Sequence, residues 1–142
     1  MDLFAEDLAR MLDALEITQP VVIGGLSMGG YVAFAFYRNY PERVGGLILT
    51  ATRASSDSAE VKENRIKAVD LARNQGVVLI VGAMPPRLIS PYTIPEKPEL
   101  VQQINKLMLS NSVDGVVGDL LGMMDRPDST LLLPQIHAPC SS

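Results

Sequence analysis

The feature that most constrains the fold is a change of character between residues 20 and 39. Residues 20–24 (PVVIG) are apolar and mostly β-branched, which predicts a short buried strand. Residues 31–39 are apolar nearly all round, which predicts a helix packed deeply against a sheet. Between them stands GLSMG, a G-x-S-x-G sequence. The chain must therefore turn sharply from strand to helix with Ser27 at the apex.

A serine at such a turn is a candidate nucleophile, because its Oγ is held clear of the backbone above the strand ends. We expect Gly25 and Gly29 to shape the turn, since a side chain at either would collide with the neighbouring element. The first amides of the next helix have no partner inside it, so the Met28 N–H is a candidate oxyanion donor. The alternative interpretation is a glycine-rich turn with a surface serine.

The flanking segments predict an α/β fold with a parallel sheet. An amphipathic helix is expected over residues 2–15, with Phe4, Leu8, Met11, Leu12 and Leu15 as its apolar stripe. Residues 45–50 (GGLILT) predict a second buried strand, which gives the order helix, strand, helix, strand. Two parallel strands leave open sheet edges, so self-association through those edges is expected.

The chain becomes helical and more polar after Arg53. Residues 76–89 are ambiguous between strand and helix, and Pro85-Pro86 is expected to end either element. A loop is expected over residues 90–98, which contain three prolines. The expected helices are 59–75, 100–108 and 113–124. The predicted division is a core segment at 1–54, a helical insertion at 55–126, and a return at 127–142 that stops short of another strand.

Composition excludes several classes of function. The net charge is −4 without a basic run, which argues against nucleic-acid binding. Residues 21–37 carry no charge, but this stretch is shorter than the roughly 20 residues of a membrane span, and the acidic start does not resemble a signal peptide. A cytoplasmic location is expected. With one Cys and one His, no metal and no cofactor are expected.

Residues 24–54 (GGLSMGGYVAFAFYRNYPERVGGLILTATRA) resemble the serine α/β-hydrolase superfamily. They are most similar to the group that holds 3-oxoadipate enol-lactonase-like hydrolases, small carboxylesterases and cofactor-free haloperoxidase-like perhydrolases. KENR, PELV and RPDSTLLLPQI extend the resemblance over nearly the whole chain.

The resemblance implies a partial α/β-hydrolase fold in which residues 55–126 form a helical cap. It implies that Ser27 attacks a small ester or lactone to form an acyl-enzyme, with the Met28 N–H on the oxyanion. It also implies pocket-lining roles in the cap, for which ordinary core packing is the alternative. The candidate lining residues are Met84, Tyr92, Met108, Met123 and Met124.

The chain departs from the family in its acid and base, which in the family follow the serine in the order Asp, His. Both are expected to lie outside these 142 residues. His137 precedes the expected strand and is interpreted as a chance histidine, while Asp57 is interpreted as a cap-entry residue or helix cap rather than as the acid. The alternatives are a catalytically incompetent fragment or interaction module that needs a partner to complete the sheet, and a cofactor-free perhydrolase.

Overall fold

The computed structural model describes residues 1–84 and 88–141, which form two compact units. One unit comprises Met1–Asp57 and the chain from Asp125 onward, and the other comprises Ser58–Met124. The predicted division into a core segment at 1–54, a helical cap at 55–126 and a return at 127–142 stays a prediction, because the bounds of the units do not test whether the second unit acts as a cap.

The first unit is an α/β structure with a parallel sheet in the order β1-β2-β3, which confirms the predicted fold class. Leu26 at the end of β1 pairs with Thr50 at the end of β2, so both strands finish at the same edge of the sheet. Short 3₁₀ helices occupy Pro41–Arg43 and Thr130–Gln135. The regular elements are α1 (Asp2–Ala14), β1 (Val21–Leu26), α2 (Met28–Asn39), β2 (Val44–Thr50) and β3 (Cys140–Ser141).

The expectation that the chain stops short of a further strand is wrong. The Leu47 N–H donates to the Pro139 carbonyl at 2.8 Å, and Cys140 and Ser141 then pair with Leu47 and Ile48. A proline has no N–H to donate but its carbonyl can accept, so it can begin a ladder from the edge. Two paired residues are too few to give a periodic pattern in the sequence.

The sheet is covered on one face within this unit. Ile23 and Leu47 are buried against α1 and α2, where Phe36 is fully buried. On the opposite face Val22, Leu26 and Ile48 are 62%, 67% and 50% exposed. The continuous apolarity of the strands predicts cover on both faces, and in the described residues only one face has it.

The buried side of α1 differs from the predicted stripe. Ala5, Ala9 and Leu12 are buried, whereas Phe4, Met11 and Leu15 of the predicted stripe are exposed. The two alanines allow α1 to approach α2 closely, which larger apolar side chains at those positions would prevent.

The second unit is helical: α3 (Ala59–Gln75), α4 (Val78–Ala83), α5 (Thr93–Glu96), α6 (Pro98–Leu109) and α7 (Val113–Met124). The Ser58 hydroxyl caps α3 by accepting from the Val61 N–H, and Val69, Ala72 and Val117 form its buried core. Within residues 1–84 and 88–141, no helix is both long and apolar enough to cross a membrane.

Helix α4 resolves the ambiguity over residues 76–89 in favour of a helix; Pro85-Pro86 lies outside the described residues. The loop expected over residues 90–98 is partly wrong, because α5 forms there. Pro95 is tolerated in so short a helix, since a first-turn amide has no partner to lose.

Leu47→Ala should lower the free energy of unfolding by about 2–5 kcal/mol, because it opens a cavity at a side chain that is only 1% exposed. The matched control is Ile48→Ala on the open face of the same strand, which should cost about 1 kcal/mol or less. Urea unfolding followed by circular dichroism measures both, and equal losses would contradict the one-sided cover of β2.

Candidate active site

Ser27 lies between β1 and α2 with a backbone conformation that few non-glycine residues adopt, at φ 50° and ψ −109°. Such a conformation costs of the order of 1–3 kcal/mol and persists only where the surroundings fix it. The residue is exposed, and its side chain makes no capping hydrogen bond among the described residues. Its Oγ is therefore available at the edge where β1 and β2 end.

Hydrogen bonds fix the Ser27 backbone on both sides. Its N–H donates to the Thr50 carbonyl at 2.9 Å, which continues the β1–β2 ladder by one step. Its carbonyl accepts from the Gly30 N–H at 3.0 Å and from the Thr52 hydroxyl at 2.8 Å. The strained residue is thus held by the neighbouring strand as well as by its own helix.

Close approach at the turn depends on Gly25 and Gly30. A Cβ at Gly25 would lie 2.5 Å from the Gly30 nitrogen, and one at Gly30 would lie 2.6 Å from Thr52 Cβ. The collision expected at Gly29 is wrong, because a Cβ there would meet no atom within 4 Å. A Cβ at Gly29 would enter open space, whereas one at Gly30 would meet the segment after β2. The spacing of the glycines in the sequence does not predict this difference.

Met28 is the first residue of α2, so its N–H has no acceptor inside the helix. Among the described residues, no backbone carbonyl accepts from it across the turn either. The helix dipole adds a partial positive charge at this end. An anionic oxygen close to Ser27 Oγ would find this amide available.

The segment after β2 turns at Ala51, whose φ of 48° is in the left-handed region. The Thr50 carbonyl reaches the Ser27 N–H as the last step of the β1–β2 ladder, and the turn at Ala51 lets the Thr52 hydroxyl reach the Ser27 carbonyl. Thr50 and Thr52, on either side of Ala51, therefore both form hydrogen bonds with Ser27.

A charge cluster whose Asp57 and Arg126 are buried holds the chain beyond Thr52. Asp57 Oδ1 lies 2.7 Å from Arg53 Nη2 and 2.8 Å from Arg126 Nη2, and the Asp57 side chain is fully buried. Arg126 also donates to the Ser55 carbonyl at 3.0 Å and stacks over the Tyr31 ring with its Cζ 3.9 Å from the centroid. The hydrogen bond to Asp57 raises the pKa of the Arg53 guanidinium above its already high ordinary value.

Sequence reasoning missed this cluster, because Arg126 and Asp57 are far apart in the chain. Asp57 does not cap α3, since Ser58 does. The helix-cap interpretation of Asp57 is therefore wrong. Its carboxylate forms ion pairs with two guanidinium groups of the same unit, which is typical of a structural role.

Asp128 and Ser129 join the same two segments. The Ser129 N–H donates to the Ala54 carbonyl at 2.8 Å, and the Ser56 N–H donates to Asp128 at 3.3 Å. Hydrogen bonds from the Thr130 side chain, then from the Thr130 and Ser56 amides, hold the pKa of the Asp128 carboxyl below its ordinary value. The points where the chain leaves and re-enters the first unit are thus tied together.

His137 lies away from Ser27. It precedes β3 on the side of the amino ends of the strands, whereas Ser27 follows the carboxyl end of β1. The His137 N–H donates to the Tyr37 hydroxyl at 3.2 Å, near the end of α2 that is remote from Ser27. His137 therefore cannot act as a base on Ser27 in this structure.

The candidate lining residues all lie in the second unit, and their role stays a prediction. Tyr92 is 81% exposed and Met84 is 37% exposed. Met108, Met123 and Met124 are partly buried, and Met123 Sδ accepts from Arg65 Nη1 at 3.3 Å. Among the described residues, no group of three His, Cys, Asp or Glu side chains could hold a metal ion.

Comparisons with known proteins agree with this geometry. The sequence pattern of the family described as alpha/beta hydrolase fold matches residues 1–80. A thermophilic esterase from Thermogutta terrifontis is 47% identical with a TM-score of 0.91, over 96% of this chain and 50% of that one. The 3-oxoadipate enol-lactonase 2 of Acinetobacter baylyi is 29% identical over 115 residues, 81% of this chain and 42% of the relative.

The enol-lactonase from Burkholderia xenovorans LB400 has a TM-score of 0.84 at 24% identity, over 96% of this chain and 50% of its own, and shows the fold alone. The chain belongs to the α/β-hydrolase fold family, which confirms the resemblance. It spans about half the length of the relatives that it matches.

Gly25→Ala should destabilise the first unit by about 2–3 kcal/mol or more, because the new Cβ overlaps the backbone at Gly29 and Gly30. Gly24→Ala is the matched control: its Cβ would meet no atom within 4 Å, so it should change stability by about 0.5 kcal/mol or less, or increase it slightly. Urea midpoints measure both. A tolerated Gly25→Ala would contradict the close approach, whereas an insoluble Gly25→Ala beside a soluble Gly24→Ala would agree with it.

Asp128→Asn should remove part of the acid dependence of stability. The pKa of Asp128 is lowered by folding, so its carboxylate stabilises the fold above the unfolded-state pKa of about 4. That contribution is lost as the pH falls through the lower pKa of the folded state. Urea midpoints of wild type and variant should therefore differ at pH 7 and converge towards pH 2, and a difference that does not change with pH would contradict the assignment.

Proposed function

We propose that Ser27 is the nucleophile of a hydrolase that acts on small carboxylic esters or lactones. The observation that carries the proposal is the strained Ser27 backbone, which holds an exposed Oγ at a strand-to-helix turn beside the first amide of α2. The esterase and enol-lactonase names of the similar proteins favour this substrate class.

In the proposed reaction, Ser27 Oγ bonds to the carbonyl carbon and its proton passes to a general base. The carbonyl oxygen becomes an oxyanion, towards which the Met28 N–H would donate. The intermediate collapses as the C–O bond breaks and the alcohol oxygen takes up the proton; this alcohol leaves from an ester and stays attached to the acyl group from a lactone. Water then hydrolyses the acyl-enzyme to the free acid and returns a proton to Ser27 Oγ.

The base is assigned outside these 142 residues, since His137 lies near the opposite end of α2 and Asp57 is held by two arginines. A serine without a base is a poor nucleophile at its ordinary pKa. Ser27 in this chain is therefore expected to be positioned for attack but to need an added base.

Imidazole should rescue the reaction of Ser27 with a fluorophosphonate probe. The exposed Oγ allows a small base to reach it, so the labelling rate of the wild-type chain should rise in proportion to imidazole concentration. Ser27→Ala should abolish the imidazole-dependent labelling. Ser55→Ala, which removes an exposed hydroxyl while its backbone carbonyl still accepts from Arg126, should leave it unchanged. Intact-mass spectrometry and peptide mapping measure the rates and the labelled residue.

A second candidate function is a non-catalytic module that needs a partner to complete its sheet. It is favoured by the open sheet face, where Val22, Leu26 and Ile48 are exposed. No labelling of Ser27 with or without imidazole, or labelling that survives in Ser27→Ala, would favour this alternative. Self-association of the chain stays a prediction, which gel filtration over a range of concentrations tests.

A further inference from the structure

Thr52 lies against the peptide that joins Ser27 to Met28. Its hydroxyl donates to the Ser27 carbonyl at 2.8 Å, while its methyl side packs on Gly30, where a Cβ would lie 2.5 Å from Thr52 Cγ2. No described side chain other than that of Thr52 donates to this carbonyl. The threonine thus contacts the turn through both its polar and its apolar atoms.

The Ser27 carbonyl and the Met28 N–H belong to one peptide group. A peptide is planar and trans, so its C=O and N–H point in opposite directions. A hydrogen bond that fixes the carbonyl on the side of Thr52 therefore fixes the direction of the Met28 N–H as well. A bond to the carbonyl also polarises the peptide, which makes its N–H a stronger donor.

We propose that Thr52 is a positioning residue that aims and polarises the Met28 N–H as an oxyanion donor. This inference rests on the proposed function, because it assumes that Met28 receives the oxyanion. It goes further, since it assigns a role to a residue that lies outside the G-x-S-x-G sequence, in the segment after β2.

Contacts on both sides of Thr52 fix the segment that carries it. Before it, the Thr50 carbonyl accepts from the Ser27 N–H at 2.9 Å, and the chain then turns at Ala51. Beyond Thr52, the Arg53–Asp57–Arg126 cluster fixes the segment, and Arg126 stacks on Tyr31 in the first turns of α2. The short segment that carries the Thr52 hydroxyl is thereby held at both of its ends.

The test compares Thr52→Val, which removes the hydroxyl but keeps the shape, with Thr52→Ser, which keeps the hydroxyl. In spectra of the isotopically labelled chain, Thr52→Val should shift the Ser27 carbonyl carbon and the Met28 amide, whereas Thr52→Ser should restore both towards wild type. Thr18→Val, at an exposed threonine before β1, is the control and should leave both signals unchanged.

The same variants are then labelled with the fluorophosphonate in imidazole. Thr52→Val should lower the maximal labelling rate about fivefold to tenfold, the usual effect of one lost hydrogen bond, with little change in the probe concentration at half-saturation. Thr52→Ser should recover most of the rate. Should Thr52→Val not fold, Thr52→Ala removes the hydroxyl in its place and should shift the Ser27 carbonyl carbon and the Met28 amide in the same direction.

The outcomes separate the inference from the proposed function. Wild type that does not label overturns the proposed function and, with it, the catalytic role of Thr52, while the spectra still decide whether Thr52 orients the peptide. Labelling in wild type with unchanged rates in Thr52→Val, or unchanged Ser27 and Met28 signals, overturns the inference alone.

Discussion

The peptide between Ser27 and Met28 is the point on which strand β1, helix α2 and strand β2 all constrain one another. Ser27 has a backbone conformation that a free chain would leave, at φ 50° and ψ −109°. It persists because the Thr50 carbonyl holds the serine nitrogen while Thr52 and Gly30 hold its carbonyl. The register of β1 on β2 is therefore part of the candidate site, since a slip of one residue would remove these contacts.

Buried charges next to the site hold the segment that contacts Ser27. Asp57 and Arg126 come from segments that leave and re-enter the first unit, and they meet with Arg53 beside the end of β2. Buried ion pairs add little net stability, but the removal of one partner is costly, so they favour a single arrangement of the chain. Here that arrangement fixes the segment that carries Thr52, and the Arg126–Tyr31 contact extends it to α2.

The sequence predicted what is local and missed what depends on distant partners. The strand, turn and helix around Ser27 follow from the order of apolar, glycine and helical residues. Gly30 rather than Gly29 is the crowded glycine, because Thr52 packs against it. No periodic pattern in the sequence links Thr52 to Gly30. The Asp57–Arg126 pair and the two-residue strand β3 likewise arise from contacts between residues far apart in the chain. On α1, Ala5 and Ala9 are buried beside Leu12, whereas Phe4, Met11 and Leu15 are exposed, because close approach to α2 decided the packing.

Placement and activation of the candidate nucleophile are separable in this chain. The contacts that strain Ser27 and expose the first amide of α2 all lie within the first unit, between β1 and the segment after β2. A base is a different requirement, and the single histidine lies near the other end of α2. Enzymes stripped of triad residues still exceed the uncatalysed rate by about 10³–10⁴-fold, through their oxyanion hole and substrate binding together. Under the proposed function, the G-x-S-x-G turn would supply the position of the nucleophile and one oxyanion donor, and the rate would depend on where a proton acceptor is supplied.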